Sequence, residues 1–115
     1  MPATDYPLSW AGPRAVITLP AEIDVTNADE VRAALLTVVG RSPDTLIIDM
    51  SATTFCDSAG VNAIISAYQE ATANGTQLRL VAAAVLRIFK LIGADQLMPV
   101  HPPLAAALEQ APGKG

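Results

Sequence analysis

The chain has 115 residues, of which 51% are hydrophobic and 16% charged, with a formal net charge of −4. That is one domain's worth of chain with ample material for a core, and its composition is not that of a disordered segment. The acidic balance lacks the electrostatic footprint of a nucleic-acid binder, so no nucleic-acid partner is expected.

No apolar run approaches the roughly 20 residues that span a bilayer, and no membrane partner is expected. Met1-Pro2-Ala3-Thr4-Asp5 has neither a basic start nor an apolar stretch, so no secretory signal is expected. The single cysteine, Cys56, fits a reducing compartment, and the expected location is cytoplasmic. Residues 1–60 hold eight acids against three arginines, whereas residues 61–115 hold three acids against four basic residues. If the acids cluster in space, they favour a basic partner surface.

Tyr6, Leu8 and Trp10 fall at every second position, the period of a strand with one buried face. Ala11-Gly12-Pro13-Arg14 is a turn and Ala15–Leu19 a second strand, so the chain opens with a hairpin that Pro20 ends. Thr26 or Asn27 then caps a helix, with Asn27-x-x-Glu30 in the form of a capping box. Val31, Leu35 and Val38 give that helix one apolar face, and Gly40 closes it. Leu46–Met50 reads as a central strand buried on both faces.

Val61, Ile64, Ile65 and Tyr68 make the next helical stripe, closed by Asn74-Gly75, and Leu78–Val81 is another strand. Val85, Ile88, Phe89 and Ile92 give a third stripe that stops at Gly93. Met98–Val100 reads as a short last strand, Pro103 opens a fourth helix through Leu104, Ala107 and Leu108, and the tail from Pro112 frays. The order ββαβαβαβα predicts a single α/β domain over residues 1–115, its core at about 6–110. Its sheet is mixed, mostly parallel, with an antiparallel N-terminal hairpin.

In such sheets, sites form beyond the carboxyl ends of strands. Two stretches qualify: Ala21–Thr26 after the second strand, and Thr53–Gly60 before the Val61 helix. Asp57 is placed to cap that helix, with Ser58 its first residue at the positive end of the macrodipole. A phosphate on Ser58 would meet free N–H donors but would face Asp57 and Asp24. Gly60 would leave bare backbone for another surface to approach. On the residues alone, the plain helix cap is the favoured reading of Asp57-Ser58.

Asp57-Ser58-Ala59-Gly60-Val61, preceded by Leu46-Ile47-Ile48-Asp49-Met50-Ser51 and Phe55, resembles the signature of the STAS domain, the fold of bacterial anti-sigma factor antagonists. Ala21-Glu22-Ile23-Asp24 is similar to the family's Gly-Glu-Leu-Asp block, and Val85–Leu97 to its arginine-containing third helix and exit. Ala59 replaces the family's second serine, Asn62 its second glycine and Ala21 the glycine of its first block.

The resemblance implies a regulator and not an enzyme. Its unphosphorylated form would bind an anti-sigma factor that is also a serine kinase. Phosphorylation of Ser58 would break the complex, and a phosphatase would reset it. Asp24, Asp57, Ala59, Gly60 and Asn62 would form the partner-binding and switch surface. The alternative is a scaffold or subunit of the stressosome or lipid-transporter type, in which Ser58 is only a cap.

Other chemistry finds little support. Cys56 beside a helix N-terminus is a candidate redox thiol, against the commoner case of a cysteine that only packs. His101 stands alone, with no Gly-x-Ser-x-Gly elbow for a hydrolase. One Cys and one His make no transition-metal site, Asp49 is expected to serve the strand end, and no phosphate-cradling glycine loop occurs. Neither metal nor cofactor is expected.

Overall fold

A computed structural model describes residues 6–84 together with the backbone of Val100 and His101. Five strands, β1 (Leu8–Ala11), β2 (Arg14–Thr18), β4 (Thr45–Met50), β6 (Gln77–Ala82) and β7 (Val100–His101), form one sheet in the order β1-β2-β4-β6-β7. A separate two-stranded sheet pairs β3 (Glu22–Ile23) with β5 (Phe55–Cys56). The helices are α1 (Ala28–Val39) and α2 (Ser58–Ala73). β1 and β2 are antiparallel, and every other pairing is parallel.

The hairpin turn is two residues long, because Ala11 pairs with Arg14. Gly12 takes a φ of 62°, which the first central position of a II′-type turn requires and an L side chain resists. Trp10 departs from expectation: it is 40% exposed although its period places it on the buried face. β1 is an edge strand, and the Arg41 guanidinium, just beyond α1, lies over the ring, 5.3 Å from its centroid.

β4 is the buried centre of the sheet. Leu46, Ile48 and Met50 pack with Ile17, Leu80 and the helices, while Ile47 joins Val81 and Val16 on the opposite face. Thus the apolar run is buried on both sides, as its sequence requires. α1 buries Val31, Leu35 and Val38 together with Ala28, Ala34 and Val39. It ends at Gly40 as expected, although Gly40 is right-handed and the left-handed residue is Ser42 with φ 58°.

α2 buries a narrower face than its large residues indicate: Val61 and Ile64 with Gly60, Ala63, Ala67 and Ala71. Ile65 and Tyr68 are only partly buried at its margin. The small residues let α2 lie close beside α1 on the same side of the sheet. Asn74 and Gly75, the latter at φ 78°, end the helix as read.

The last strand is Val100–His101, paired with Leu80 and Val81, one residue later than expected where it can be compared. The third and fourth helical stripes lie outside the described residues.

Candidate functional site

The two short strands β3 and β5 bring the two candidate stretches together. Their register sets Glu22 against Phe55 and Ile23 against Cys56. Ile23 and Cys56 turn into the core, while Glu22 and Phe55 face solvent. The Thr54 and Phe55 amides both donate to the Ala21 carbonyl, and the Asp57 amide donates to the Ile23 carbonyl at 3.1 Å. Below the ladder, buried Thr53 donates its hydroxyl to the Pro20 carbonyl at 2.7 Å. These bonds cross more than thirty residues of sequence and fix the Asp24 loop beside the N-terminus of α2.

Asp57 is the N-cap of α2. Its Oδ1 accepts the Ala59 amide at 2.9 Å and the Gly60 amide at 3.1 Å. The expectation that a phosphate on Ser58 would find free helix donors is therefore corrected in part: Asp57 has already taken these two. Ser58 is the first helical residue and is exposed, with Asn62 exposed one turn on and Ala59 half-buried. Ala59, Asn62 and Ala63 of α2 face Ala28, Asp29 and Arg32 of α1 across a shallow depression of about 210 Å³. Arg32 and Asp29 are paired there at 3.3 Å.

Gly60 reverses its expected role. It is buried, and a Cβ built on it would lie 2.7 Å from both Cys56 Sγ and Ile23 Cγ2. The bare backbone admits β3 and β5, so the close approach it permits is internal and Gly60 offers no surface to a partner.

Asp24 holds its own loop. Its carboxylate accepts the Thr26 hydroxyl and, at 2.9 Å, the Thr26 amide, and these bonds, the hydroxyl first, lower its pKa below the usual aspartate value. Asn27 is the N-cap residue of α1 by position, yet it forms no capping box. Its amide instead takes the Asp24 N–H at 2.9 Å and donates to the Glu22 carbonyl at 2.9 Å.

Asp49 is buried at the end of β4 and accepts the Ser51 amide and hydroxyl, a structural turn. Cys56 is 1% exposed, and burial, aided by the Asp57 charge, pushes its thiol up to about 11. That overturns the redox candidate, since the reactive species is the thiolate. Among the described residues no group of three or more His, Cys, Asp and Glu could hold a metal ion. His101 contributes a backbone pairing to Val81.

Two surface residues beside the site were not among the residues expected to meet a partner, although Phe55 is part of the family signature and Val25 lies in the Ala21–Thr26 stretch. Val25 is 75% exposed in the loop after β3, and Phe55 is 47% exposed on β5. The available signal was local: each is a large apolar residue set among polar or loop residues.

The STAS domain family matches residues 11–110. The chain belongs to the STAS domain family. Similar solved structures agree with the fold. An anti-sigma factor antagonist from Mycobacterium paratuberculosis is 28% identical over 95% of each chain, with a TM-score of 0.84. A putative anti-sigma factor antagonist from Thermotoga maritima is 15% identical, with a TM-score of 0.83 over 94% of this chain and 95% of that one. The phosphorylated form of the Bacillus cell fate determinant SpoIIAA is 21% identical, with a TM-score of 0.69 over 93% of this chain and 99% of that one. Among the described residues of this STAS domain, no helix is long and apolar enough to cross a membrane.

Proposed function

We propose that this STAS domain is an anti-sigma factor antagonist whose unphosphorylated form binds an anti-sigma factor with serine kinase activity, and that phosphorylation of Ser58 ends the contact. The similarity to the antagonist from Mycobacterium paratuberculosis supports the role. The observation that carries the switch is the position of Ser58: an exposed hydroxyl at the first turn of α2, beside a carboxylate that already occupies the Ala59 and Gly60 amides.

A phosphate there adds about −1.5 to −2 charge. The two amides held by Asp57 are not free to neutralise it, so the charge is presented outward, to solvent or to the partner. Asp24, Asp57, Ala59 and Asn62 belong to the docking surface, and a phosphatase restores the binding form. The protein acts as a binding partner in the cytosol, not as a catalyst.

Intact-mass spectrometry after incubation with ATP and purified anti-sigma factor kinases tests the acceptor. A single added phosphate that maps to Ser58 and is lost in Ser58→Ala is expected. A phosphate mapped to Thr53, Thr54 or Ser66 would overturn the assignment. A kinase that binds wild type, Ser58→Ala and Ser58→Asp equally would make the domain a constitutive scaffold.

A further inference from the structure

The surface around Ser58 is acidic, with Glu22 and Asp24 on one strand end and Asp57 on the other. Such a surface favours a basic partner, and a phosphate added to it would by charge alone tighten that contact. Release needs another source. The described residues include three exposed large hydrophobes, and two of them, Val25 and Phe55, belong to the segments that frame Ser58. The third, Trp10, is on the edge strand β1 beneath Arg41.

The β3–β5 ladder gives the placement. Asp57 donates its amide to Ile23, so the parallel register runs one step beyond the paired residues. Beyond that bond both segments leave the ladder, the first into the turn of residues 24–27 and the second into α2, which Ser58 opens. Phe55 has the same parity as Asp57 and faces solvent. The ladder therefore joins the two segments that carry the exposed Val25 and Phe55, together with Glu22, Asp24 and Asp57, at the start of α2 where Ser58 stands, the composition of an interface with an apolar centre and a charged rim.

On the docking role proposed above, we infer that Val25 and Phe55 are the apolar anchors of the contact and keep it dry around Ser58, so that a phosphate breaks the complex through its desolvation rather than through charge repulsion. The occupant is a partner surface that is apolar opposite Ser58 and carries lysine or arginine at its rim, where it meets Glu22, Asp24 and Asp57. An unmodified hydroxyl enters such a contact at little cost. A dianion must shed its water against hydrocarbon, and that penalty outweighs the attraction of the rim.

Salt separates the two sources. Coulomb terms between exposed charges fade as the screening length falls from about 10 Å at 0.1 M to about 3 Å at 1 M ionic strength. Desolvation of a buried charge does not fade in this way.

The test measures affinity of the full chain for a purified anti-sigma factor kinase that Ser58→Ala retains, at 0.1 M and 1 M NaCl. Wild type, Val25→Ala, Phe55→Ala, Ser58→Asp and Val25→Ala/Ser58→Asp are compared, each with its melting temperature. Val25→Ala is expected to weaken binding about fivefold or more, as interface anchors do, with no change in melting temperature. Phe55→Ala should do the same. If it also lowers the melting temperature, the loop residue Val25 carries the test alone.

The ratio of wild-type to Ser58→Asp affinity should persist at 1 M NaCl and shrink in the Val25→Ala background. If Ser58→Asp weakens binding but the ratio collapses towards one at high salt, or if Val25→Ala binds like wild type, the anchors are refuted while the switch at Ser58 stands. If no kinase binds even Ser58→Ala, the docking role itself fails and the anchors fail with it.

Discussion

At Gly60 a single hydrogen replaces a methyl group that has nowhere to go. Gly60→Ala should gain the helix propensity of alanine, about 1 kcal/mol, and lose more by overpacking, typically about 1–3 kcal/mol. The net result is a lower melting temperature, and Cys56→Ala in the same chain should recover part of it by removing one of the two atoms in the way. An unchanged or raised melting temperature would show that β5 can shift at no cost. From the sequence this glycine read as an opening for a partner. Nothing in the chain near residue 60 could show that Ile23, thirty-seven positions earlier, fills the space.

Cys56 belongs to the same packing. Its thiol is held in the protonated form, so the native protein should react slowly with iodoacetamide at pH 7.5 and rapidly in urea. The folded pKa of about 11 lies above the ordinary thiol value of about 9. The folded state therefore keeps its proton longer than the unfolded chain does. This contribution to stability is complete below pH 9 and is lost as the pH rises towards 11. Urea melts between pH 8 and 11 read it, and a Cys56→Ala variant should lack that part of the alkaline slope.

Among the elements, the two helix starts show what a capping pattern can and cannot reveal. Asp57 before α2 was legible, because an aspartate directly precedes an apolar helical period, and the structure gives it two amides to hold. Asp57→Ala should cost about 1 kcal/mol, and Asp57→Asn little of it.

Asn27 carries the same kind of signal, yet its side chain turns back to β3 and bridges the Asp24 amide and the Glu22 carbonyl. Asn27→Ser, conservative on any cap ranking, should therefore destabilise the domain by about 1 kcal/mol through the lost bridge. Equal melting temperatures for Asn27→Ser and wild type would restore Asn27 to a plain cap. The competing partner was not visible in the sequence because β3 and β5 are two residues long, too short to establish a period of two. The stripe on α2 was legible in part, with Val61 and Ile64 buried and Ile65 and Tyr68 at the margin of the core. Its buried face also includes Ala63, Ala67 and Ala71, which hydrophobic spacing undervalues.

For the molecule as a whole, the order of the long strands and helices was readable up to β6, though β3 and β5 were not, because each long element keeps its own period and the connections follow the rules of parallel sheets. The helix start at Asp57 and Ser58 was readable from the cap pattern, and the resemblance of three ordered sequence blocks to one family is what singled out Ser58 there. The apolar component of the site was not readable, since exposure depends on what the folded chain leaves uncovered.

The charge balance of Ser58 follows from both. Ser58→Ala should keep partner binding and abolish regulation. Ser58→Asp should weaken binding while changing stability little or raising it, because an acid in the first helical turn is favourable by about 0.3–1 kcal/mol. Opposite signs for affinity and melting temperature in the same variant are the expected signature. A parallel loss of both would mean that the carboxylate disturbs α2 itself.

The pairing of β3 with β5 also constrains how this surface can be rebuilt. Residues 21–27 and 53–62 are two pages of one hinged booklet, since the ladder fixes the pitch and height of each against the other. Transplanting either segment alone into another STAS chain should leave a mismatched ladder, a reduced melting temperature and no change of partner. Transplanting both, with the Gly60 contact to Ile23 and Cys56 intact, should carry partner preference with it. On the docking surface proposed above, recognition would be inherited as a pair of distant segments, and a chain that varied in only one of them would change its stability before its choice of partner.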